Sequence, residues 1–249
     1  MSPQRVSHEV LEGNSLPVLR YAFGRAAHDM NNYLSGFAGY LALLKERFGD
    51  QPECARYFGL AEKSAGRMAA LVKVLADFSE PGRPDAKPVD VNAAVRGALD
   101  QLVELKEGGF DLTFDLDETA PRVVAHSGSL REAIAHVLRN ALEASATRPA
   151  AVIARTSSGA IAPEALVPPR DGTGPWACIE VEDSGAGMDE ATVRSCVVPF
   201  FTTKRATDQH GLGLALVRSC VCAWGGGLDV RSTPGAGTTV SLYLRAAER

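Results

Sequence analysis

The chain has 249 residues and a formal net charge of −4, which argues against a nucleic-acid-binding protein because such proteins normally carry a basic surface. Apolar residues make up 45% and charged residues 22%, with no run long enough to span a membrane and no secretory signal at the N-terminus. The five cysteines are scattered without a CxxC pair, so we expect a reduced, cytoplasmic protein with neither disulfides nor a zinc site.

The first 80 residues carry heptad patterns of apolar residues. Within 23–48 and again within 54–75, apolar positions advance by alternating steps of four and three, and a Gly-Asp-Gln-Pro turn separates the two segments. This arrangement predicts an antiparallel helical hairpin. Tyr33 and Tyr40 lie off the pattern, so each helix carries more apolar surface than one partner helix covers. We therefore predict that two hairpins form a four-helix bundle in a homodimer.

Beyond a Pro- and Gly-rich break at 81–85, strand-like and helix-like segments alternate, which predicts an α/β layer domain. The strands are predicted at 110–116, 151–157, 177–183, 228–233 and 238–244, and the helices at 91–104, 129–145 and 212–224. Residues 158–175 are rich in Gly and Pro and predict a loose hairpin insertion. The predicted domains are 1–80 and 88–249.

His28, Asp29 and Asn32 project away from the heptad pattern and share one helix face. An imidazole beside a carboxylate is an orientable nucleophile, because the carboxylate can hold the proton of one ring nitrogen and leave the other free. The same three residue types are also ordinary on a solvated helix face. This face alone therefore leaves both interpretations open.

Segments of the second half carry residues suited to binding a nucleotide. Asn140 lies inside an amphipathic helix, where Asn is a poor helix former, and its amide oxygen suits Mg²⁺. Asp183 ends a predicted strand before Gly185 and Gly187. Its carboxylate can accept a hydrogen bond from an exocyclic amine, and the glycines let the backbone approach a flat base.

Two further segments suit a phosphate chain. PFFTTK at 199–204 offers two hydroxyls and a lysine, and a predicted helix begins behind Gly211 and Gly213, where backbone N–H groups favour anions. The segment 234–244 closes the domain with a Gly turn and a strand. Each pattern is weak alone, but together and in this order they are specific.

HDMNN, RNALEA, EDSGAGM, PFFTTK and GLGLALV resemble the H, N, G1, F and G2 boxes of two-component sensor histidine kinases, in their HDxNN subclass. Residues 23–80 resemble the dimerisation and histidine phosphotransfer hairpin. Residues 88–245 resemble the GHKL, or Bergerat, ATP-binding domain shared with gyrase, Hsp90 and MutL. The resemblance implies an α+β protein, in which a dimeric four-helix bundle is followed by an α/β two-layer sandwich. It also implies an ATP- and Mg²⁺-dependent protein-histidine kinase.

By the same resemblance, His28 is the phosphoacceptor, Asp29 is its acid–base neighbour, and Asn32 positions water for phosphatase action. Asn140 holds Mg²⁺ and Asp183 binds the adenine amino group. The other residues implied to line the nucleotide pocket are Gly185, Gly187, Thr203, Lys204, Gly211, Leu212, Gly213 and Thr238. The phosphoryl group would then pass to an aspartate on the receiver domain of a response regulator.

Two positions depart from the family pattern. His136 stands four residues before Asn140, where the family usually has an asparagine whose amide an imidazole does not mimic. Gyrase-like ATPases carry a glutamate base there, so its absence argues against that class. Gln209-His210 replaces the usual Gly-Thr before the G2 glycines. One hinge glycine is therefore lost, and we expect the lid to close more stiffly.

Two alternatives compete with the kinase. One is a histidine phosphotransfer adaptor with a vestigial ATP-binding domain, and the other is a regulatory dimer that binds a receiver without chemistry. The nucleotide-site residues favour the kinase over the adaptor, and the His28–Asp29 pair argues against the regulatory dimer. With no sensor segment in the sequence, signals would arrive through the N-terminal residues or a separate sensor protein, or the chain is a fragment. We identify no partner for His126.

Overall fold

A computed structural model describes residues 16–85, 87–102, 111–145, 151–159, 165–169, 174–203 and 211–247. The chain divides into two compact units at Glu80 and Pro81, and the second unit comprises Pro81–Thr202 and Gly211–Arg249. The first unit is helical and the second combines a sheet with helices. The predicted α+β class is therefore confirmed.

The first unit is an antiparallel hairpin of α1 (Leu16–Phe48) and α2 (Pro52–Ser79). Pro52 occupies the first helical position of α2, where its missing N–H costs nothing and its fixed φ suits the helix. Near one end of the hairpin the Phe23 and Phe78 rings lie 5.2 Å apart. Towards the other end, Lys45 Nζ contacts Glu62 Oε1 at 2.6 Å.

The hairpin buries only part of its apolar surface. Ala27, Val72 and Leu75 are buried, as their heptad positions predict, and Phe78, which lies off the heptad pattern, is buried as well. Other apolar side chains are exposed in the single chain and form what we call the exposed apolar face: Tyr33, Phe37, Tyr40, Leu44, Phe48, Tyr57, Leu60 and Met68. Within the described ranges, none of the helices combines the length and apolar composition that crossing a bilayer requires.

The sheet of the second unit contains each of the predicted strands, with ends that differ by one or two residues. The strands are β1 (Asp111–Leu116), β2 (Ala151–Gly159), β3 (Trp176–Asp183), β4 (Gly227–Thr233) and β5 (Gly237–Arg245). In the described residues their order is β1-β2-β3-β5-β4. β1 pairs with β2 in parallel, and the other pairs are antiparallel.

Helices cover one side of this sheet and complete a two-layer core. They are α3 (Val91–Asp100), α4 (Ser127–Ser145), α5 (Glu190–Ser195) and α6 (Gly213–Ala223). α4 packs between α3 and α6 and against β2 and β3. Leu138 of α4, Leu216 of α6 and Ile179 of β3 are fully buried in this core. Of the predicted site residues, Asp183 ends β3, Gly213 begins α6 and Asn140 lies inside α4.

The expected loose insertion at 158–175 is partly ordered against the sheet. Val167 and Leu228 of β4 exchange two backbone hydrogen bonds of 2.8 and 2.9 Å. Pairing with the edge strand satisfies backbone groups that would otherwise need water. Residues 160–164 and 170–173 lie outside the described residues.

Candidate functional site

His28, Asp29 and Asn32 lie together on the exposed face of α1. Asp29 Oδ1 is 3.2 Å from His28 Nδ1, and Asn32 Nδ2 is 3.5 Å from the same nitrogen. The His28 side chain is 69% exposed. Because both contacts engage Nδ1, Nε2 is the ring nitrogen that remains for a reacting group in solution. The predicted face of α1 therefore presents an oriented imidazole.

In the second unit, Asn140 and His136 meet the start of α6. A Cβ built on Gly213 would lie 3.4 Å from His136 Nδ1, 3.6 Å from Asn140 Nδ2 and 3.9 Å from Asn140 Oδ1. His136 Nε2 is 4.0 Å from Glu132 Oε1, one turn earlier on α4. His136, which replaces the usual N-box asparagine, and Asn140, the predicted Mg²⁺ ligand, therefore lie beside the same residue at the start of α6. The Glu132–His136 pair was not predicted, although its i,i+4 spacing is a readable signal.

The start of α6 presents backbone N–H groups. Its N-cap residue, Leu212, has no side-chain acceptor to bind the amides of the first turn. Just before it, Gly211 has a φ of +65°, and its carbonyl accepts from the Phe200 amide at 2.9 Å. Together with the helix dipole, these amides form an anion-binding end.

Asp183 lies at the end of β3 and is buried, with 6% of its surface exposed. Its Oδ1 accepts from the Gly185 amide at 2.8 Å. A Cβ on Gly185 would lie 2.6 Å from the Ala144 carbonyl oxygen, and the Ala186 amide donates to that oxygen at 3.4 Å. The loop after β3 is thus pressed against the last turn of α4, where only a glycine fits.

The same loop is fastened to the turn between β4 and β5. Ser232 Oγ accepts from the Met188 amide at 2.7 Å, donates to the Gly237 carbonyl at 2.8 Å and lies 2.9 Å from Thr238 Oγ1. Thr238 is also the register partner of Asp183 across β3 and β5. Ser232 was not predicted, because a lone serine at a strand end gives no local signal of these contacts.

Two groups of the predicted nucleotide residues meet α4 one turn apart. Asn140 meets Gly213, and Ala144, one turn later, meets Gly185. Gly187 belongs to the loop fastened by Ser232, and Thr203 is exposed. Lys204, Gln209 and His210 lie outside the described residues. The structure therefore brings most of the predicted nucleotide residues into two adjoining groups, and the His28 group lies in the other unit.

This donor set fits a Mg²⁺-bound nucleotide. Asn140 offers a hard amide oxygen beside the N–H groups of α6, and Mg²⁺ is typically held by one or two protein oxygens together with water and substrate phosphates. The described residues contain no cluster of three His, Cys, Asp or Glu side chains able to hold a metal by itself. A metal at Asn140 would therefore take most of its ligands from the phosphates and from water.

Comparisons with known proteins agree on both units. Residues 125–248 match the family described as histidine kinase-, DNA gyrase B- and HSP90-like ATPases. The chain is 27% identical over 245 residues to the sensor histidine kinase ZraS of Escherichia coli K12, covering 98% of this chain and 49% of ZraS. It is 26% identical over 243 residues to AtoS, a signal transduction histidine-protein kinase of the same organism, covering 97% of this chain and 37% of AtoS.

Solved structures support the fold. Full-length ShkA, crystallised in complex with AMPPNP, superposes with a TM-score of 0.72 at 21% identity, covering 92% of this chain and 46% of ShkA. The mycobacterial sensor histidine kinase MprB matches 65% of this chain with a TM-score of 0.51 and 23% identity, covering 99% of the MprB chain. Our chain thus spans about half the length of ZraS and of ShkA, and less of AtoS.

Proposed function

We propose that this chain, which belongs through residues 125–248 to the histidine kinase-, DNA gyrase B- and HSP90-like ATPase family, is the transmitter core of a two-component sensor histidine kinase. It would transfer the γ-phosphoryl group of ATP to His28. The observation that carries this proposal is the coexistence of an exposed, oriented imidazole with a nucleotide-type site in one chain. The similarity to ZraS and AtoS across both units supports it.

His28 would act as the nucleophile. Asp29 holds the Nδ1 side of the ring, so Nε2 attacks the γ-phosphorus in line. The new N–P bond forms as the bond to the β,γ-bridging oxygen breaks, and ADP leaves with that electron pair. Asp29 also stabilises the positive charge that develops on the ring. The adjacent Asn32 amide would position water when the phosphoryl group is later removed from the partner.

The second unit would hold the nucleotide. Asp183 would accept a hydrogen bond from the adenine amino group, and its bond from the Gly185 amide fixes the carboxylate for that contact. Asn140 would ligate Mg²⁺, which supplies charge stabilisation to the transferring phosphoryl group when bound. The N–H groups at the start of α6, beside Gly211 and Gly213, would bind the phosphates. Thr203, Lys204, Leu212 and Thr238 would complete the pocket.

The partners follow from the surfaces of the hairpin. The exposed apolar face would pack against a second copy and form a four-helix bundle, because so many exposed large apolar side chains on one hairpin mark an interaction site. The exposed His28 face would then be open to the receiver domain of a response regulator. We propose that the receiver's aspartate takes the phosphoryl group from His28. Activity would take place in the cytoplasm.

Incubation with γ-labelled ATP and Mg²⁺ tests the proposal. We expect stable incorporation of label into the protein, with the acid-labile and base-stable behaviour of a phosphoramidate. His8→Gln, a substitution outside the described residues, is the control and should label normally, whereas His28→Gln should not label. Protein that binds no nucleotide, but accepts phosphoryl groups from a phosphorylated receiver, would instead be the phosphotransfer adaptor.

A further inference from the structure

The linker that opens the second unit is held against that unit at several points. The Trp224 Nε1–H donates to the Gly82 carbonyl at 3.1 Å. The Asp85 amide donates to the Ala125 carbonyl at 2.9 Å, and the Asp85 carboxylate accepts from the Ser127 amide at 3.0 Å. The hydrogen bonds from Ser127 hold the pKa of Asp85 below its usual value. These contacts fix the linker as a defined part of the unit.

His126 forms the surface against which Gly82 packs. Its Nδ1 accepts from the Ser129 amide at 3.2 Å and lies 3.0 Å from Ser129 Oγ, so the ring caps the start of α4. Gly82 has a φ of +81°, and a Cβ built on it would lie 2.5 Å from His126 Cγ and 2.7 Å from Nδ1. Only glycine fits at this position. These contacts of His126 were not predicted from the sequence.

The contacts leave only a short tether after the hairpin. α2 ends at Ser79, so only Glu80 and Pro81 lie between that helix and Gly82. Two extended residues span about 7 Å. If the contacts at Gly82 and Asp85 open, residues 80–88 become free up to the pairing of Val89 with Val123, and they span about 30 Å. Opening therefore lengthens the tether about fourfold.

We infer that Gly82, His126 and Trp224 form a linker latch that restrains phosphoryl transfer to His28. The inference rests on the proposed function. Along α4, Asn140 lies 14 residues beyond His126, which is about 21 Å of helix. A tether of about 7 Å is short against that distance, so a closed latch limits the positions the nucleotide can take around His28. The three residues are positioning residues, because they set the length of the tether and do not touch the reacting atoms.

Two variants open the latch by different means. Trp224→Phe removes the N–H donor and keeps an aromatic ring, and Gly82→Ala adds a Cβ that the His126 ring does not admit. In the full chain, we expect the Asp85 amide to exchange with deuterium about two- to tenfold faster, the range expected for loss of one hydrogen bond. Labelling from γ-labelled ATP should be several-fold faster. Affinity for a non-hydrolysable ATP analogue should be unchanged.

Matched controls separate the latch from general damage. Trp176→Phe tests loss of another buried indole, and Gly174→Ala tests a residue at positive φ (+142°) whose Cβ would meet nothing within 4 Å. Neither should change Asp85 exchange or labelling. Unchanged exchange, unchanged or slower labelling, or weakened nucleotide binding in Trp224→Phe would overturn the inference. Wild-type protein that takes up no label would contradict the proposed function itself, and the latch would fall with it.

Discussion

Asp183 and Asn140 contact different segments of the second unit, and the proposed function assigns them different roles. Asp183 is a buried carboxylate already engaged by the Gly185 amide. Asn140 lies beside the first residue of α6, where phosphate and metal would meet. Substitutions at the two positions should therefore damage different steps.

Asp183→Asn should weaken the binding of ADP and ATP equally. The amide can direct its N–H₂ group at the adenine amine or at the Gly185 amide, which leaves donors facing donors. We expect about a tenfold or greater loss of affinity, or at least about 1.4 kcal/mol. Titration calorimetry measures it, and unchanged affinity would show that Asp183 does not contact the base.

Asn140→Asp should change metal dependence more than base affinity. The new carboxylate still ligates Mg²⁺ but adds a negative charge beside the phosphates. We expect labelling to require a different Mg²⁺ concentration, whereas the affinity for the adenine base should be retained through Asp183. Metal titrations of the labelling rate test this. A variant with the wild-type Mg²⁺ profile would place the metal elsewhere.

At the scale of elements, the main feature of the hairpin is the apolar surface that it leaves exposed in the single chain. Phe37, Leu44 and Met68 occupy heptad positions, yet each is about half exposed in the single chain (47%, 49% and 48%). Tyr33 and Tyr40 are more exposed still. A second hairpin is the simplest partner for this surface, because it repeats the same heptad pattern.

Leu44→Glu should therefore weaken dimerisation. A carboxylate buried in the apolar centre of the bundle has no partner there. We expect the dimer dissociation constant to rise at least about a hundredfold, or about 3 kcal/mol. Sedimentation of the full chain measures this, and the charge-reversing Lys63→Glu on the polar surface is the control. A wild-type chain that is monomeric at micromolar concentration would contradict the prediction.

The second unit carries aspartates that cap local structure. Asp189 is the N-cap of α5, and hydrogen bonds from Thr192 lower its pKa. Asp117 is held in the same way by Thr119. A lowered folded-state pKa contributes stability that is complete above the unfolded pKa of about 4 and is lost as pH falls through the folded value.

Asp189→Asn should therefore make stability less dependent on acid pH. The variant keeps a capping oxygen at pH 7 but has no carboxylate to titrate, so its melting temperature should fall less steeply below about pH 4. Thermal unfolding followed by circular dichroism at several pH values measures the slope. The exposed Asp50→Asn is the control, and a slope equal to that of the wild-type chain would contradict the prediction.

Local periodicity predicted most of the helices and strands, because apolar residues recur every three to four positions in a helix and every second position in a strand. The turn at Pro52 and the strand ending at Asp183 are both visible in this way. The contacts of Ser232, and of Gly82 with His126 and Trp224, were not predictable. They join residues far apart in the chain. Their geometry depends on how the sheet and helices pack, and a local sequence pattern does not predict that packing.

At the scale of the whole molecule, the two units divide the proposed reaction between them. The hairpin carries His28, the proposed phosphoacceptor, and the second unit carries Asn140 and Asp183 of the proposed nucleotide site. In the linker-latch proposal, the linker at 81–85 is a covalent connection through which one unit affects the other. The length and attachment of this linker are therefore as relevant to the proposed activity as the residues of either site.

The most direct test of the central claim is to locate the transferred phosphoryl group. After incubation with Mg²⁺ and ATP, trypsin releases the peptide 26–45, in which His28 is the only histidine. The proposal predicts one phosphoryl group on His28 in tandem mass spectra recorded under conditions that preserve phosphoramidates. Phosphate on any other residue, or an unmodified peptide from protein that binds ATP, would contradict it.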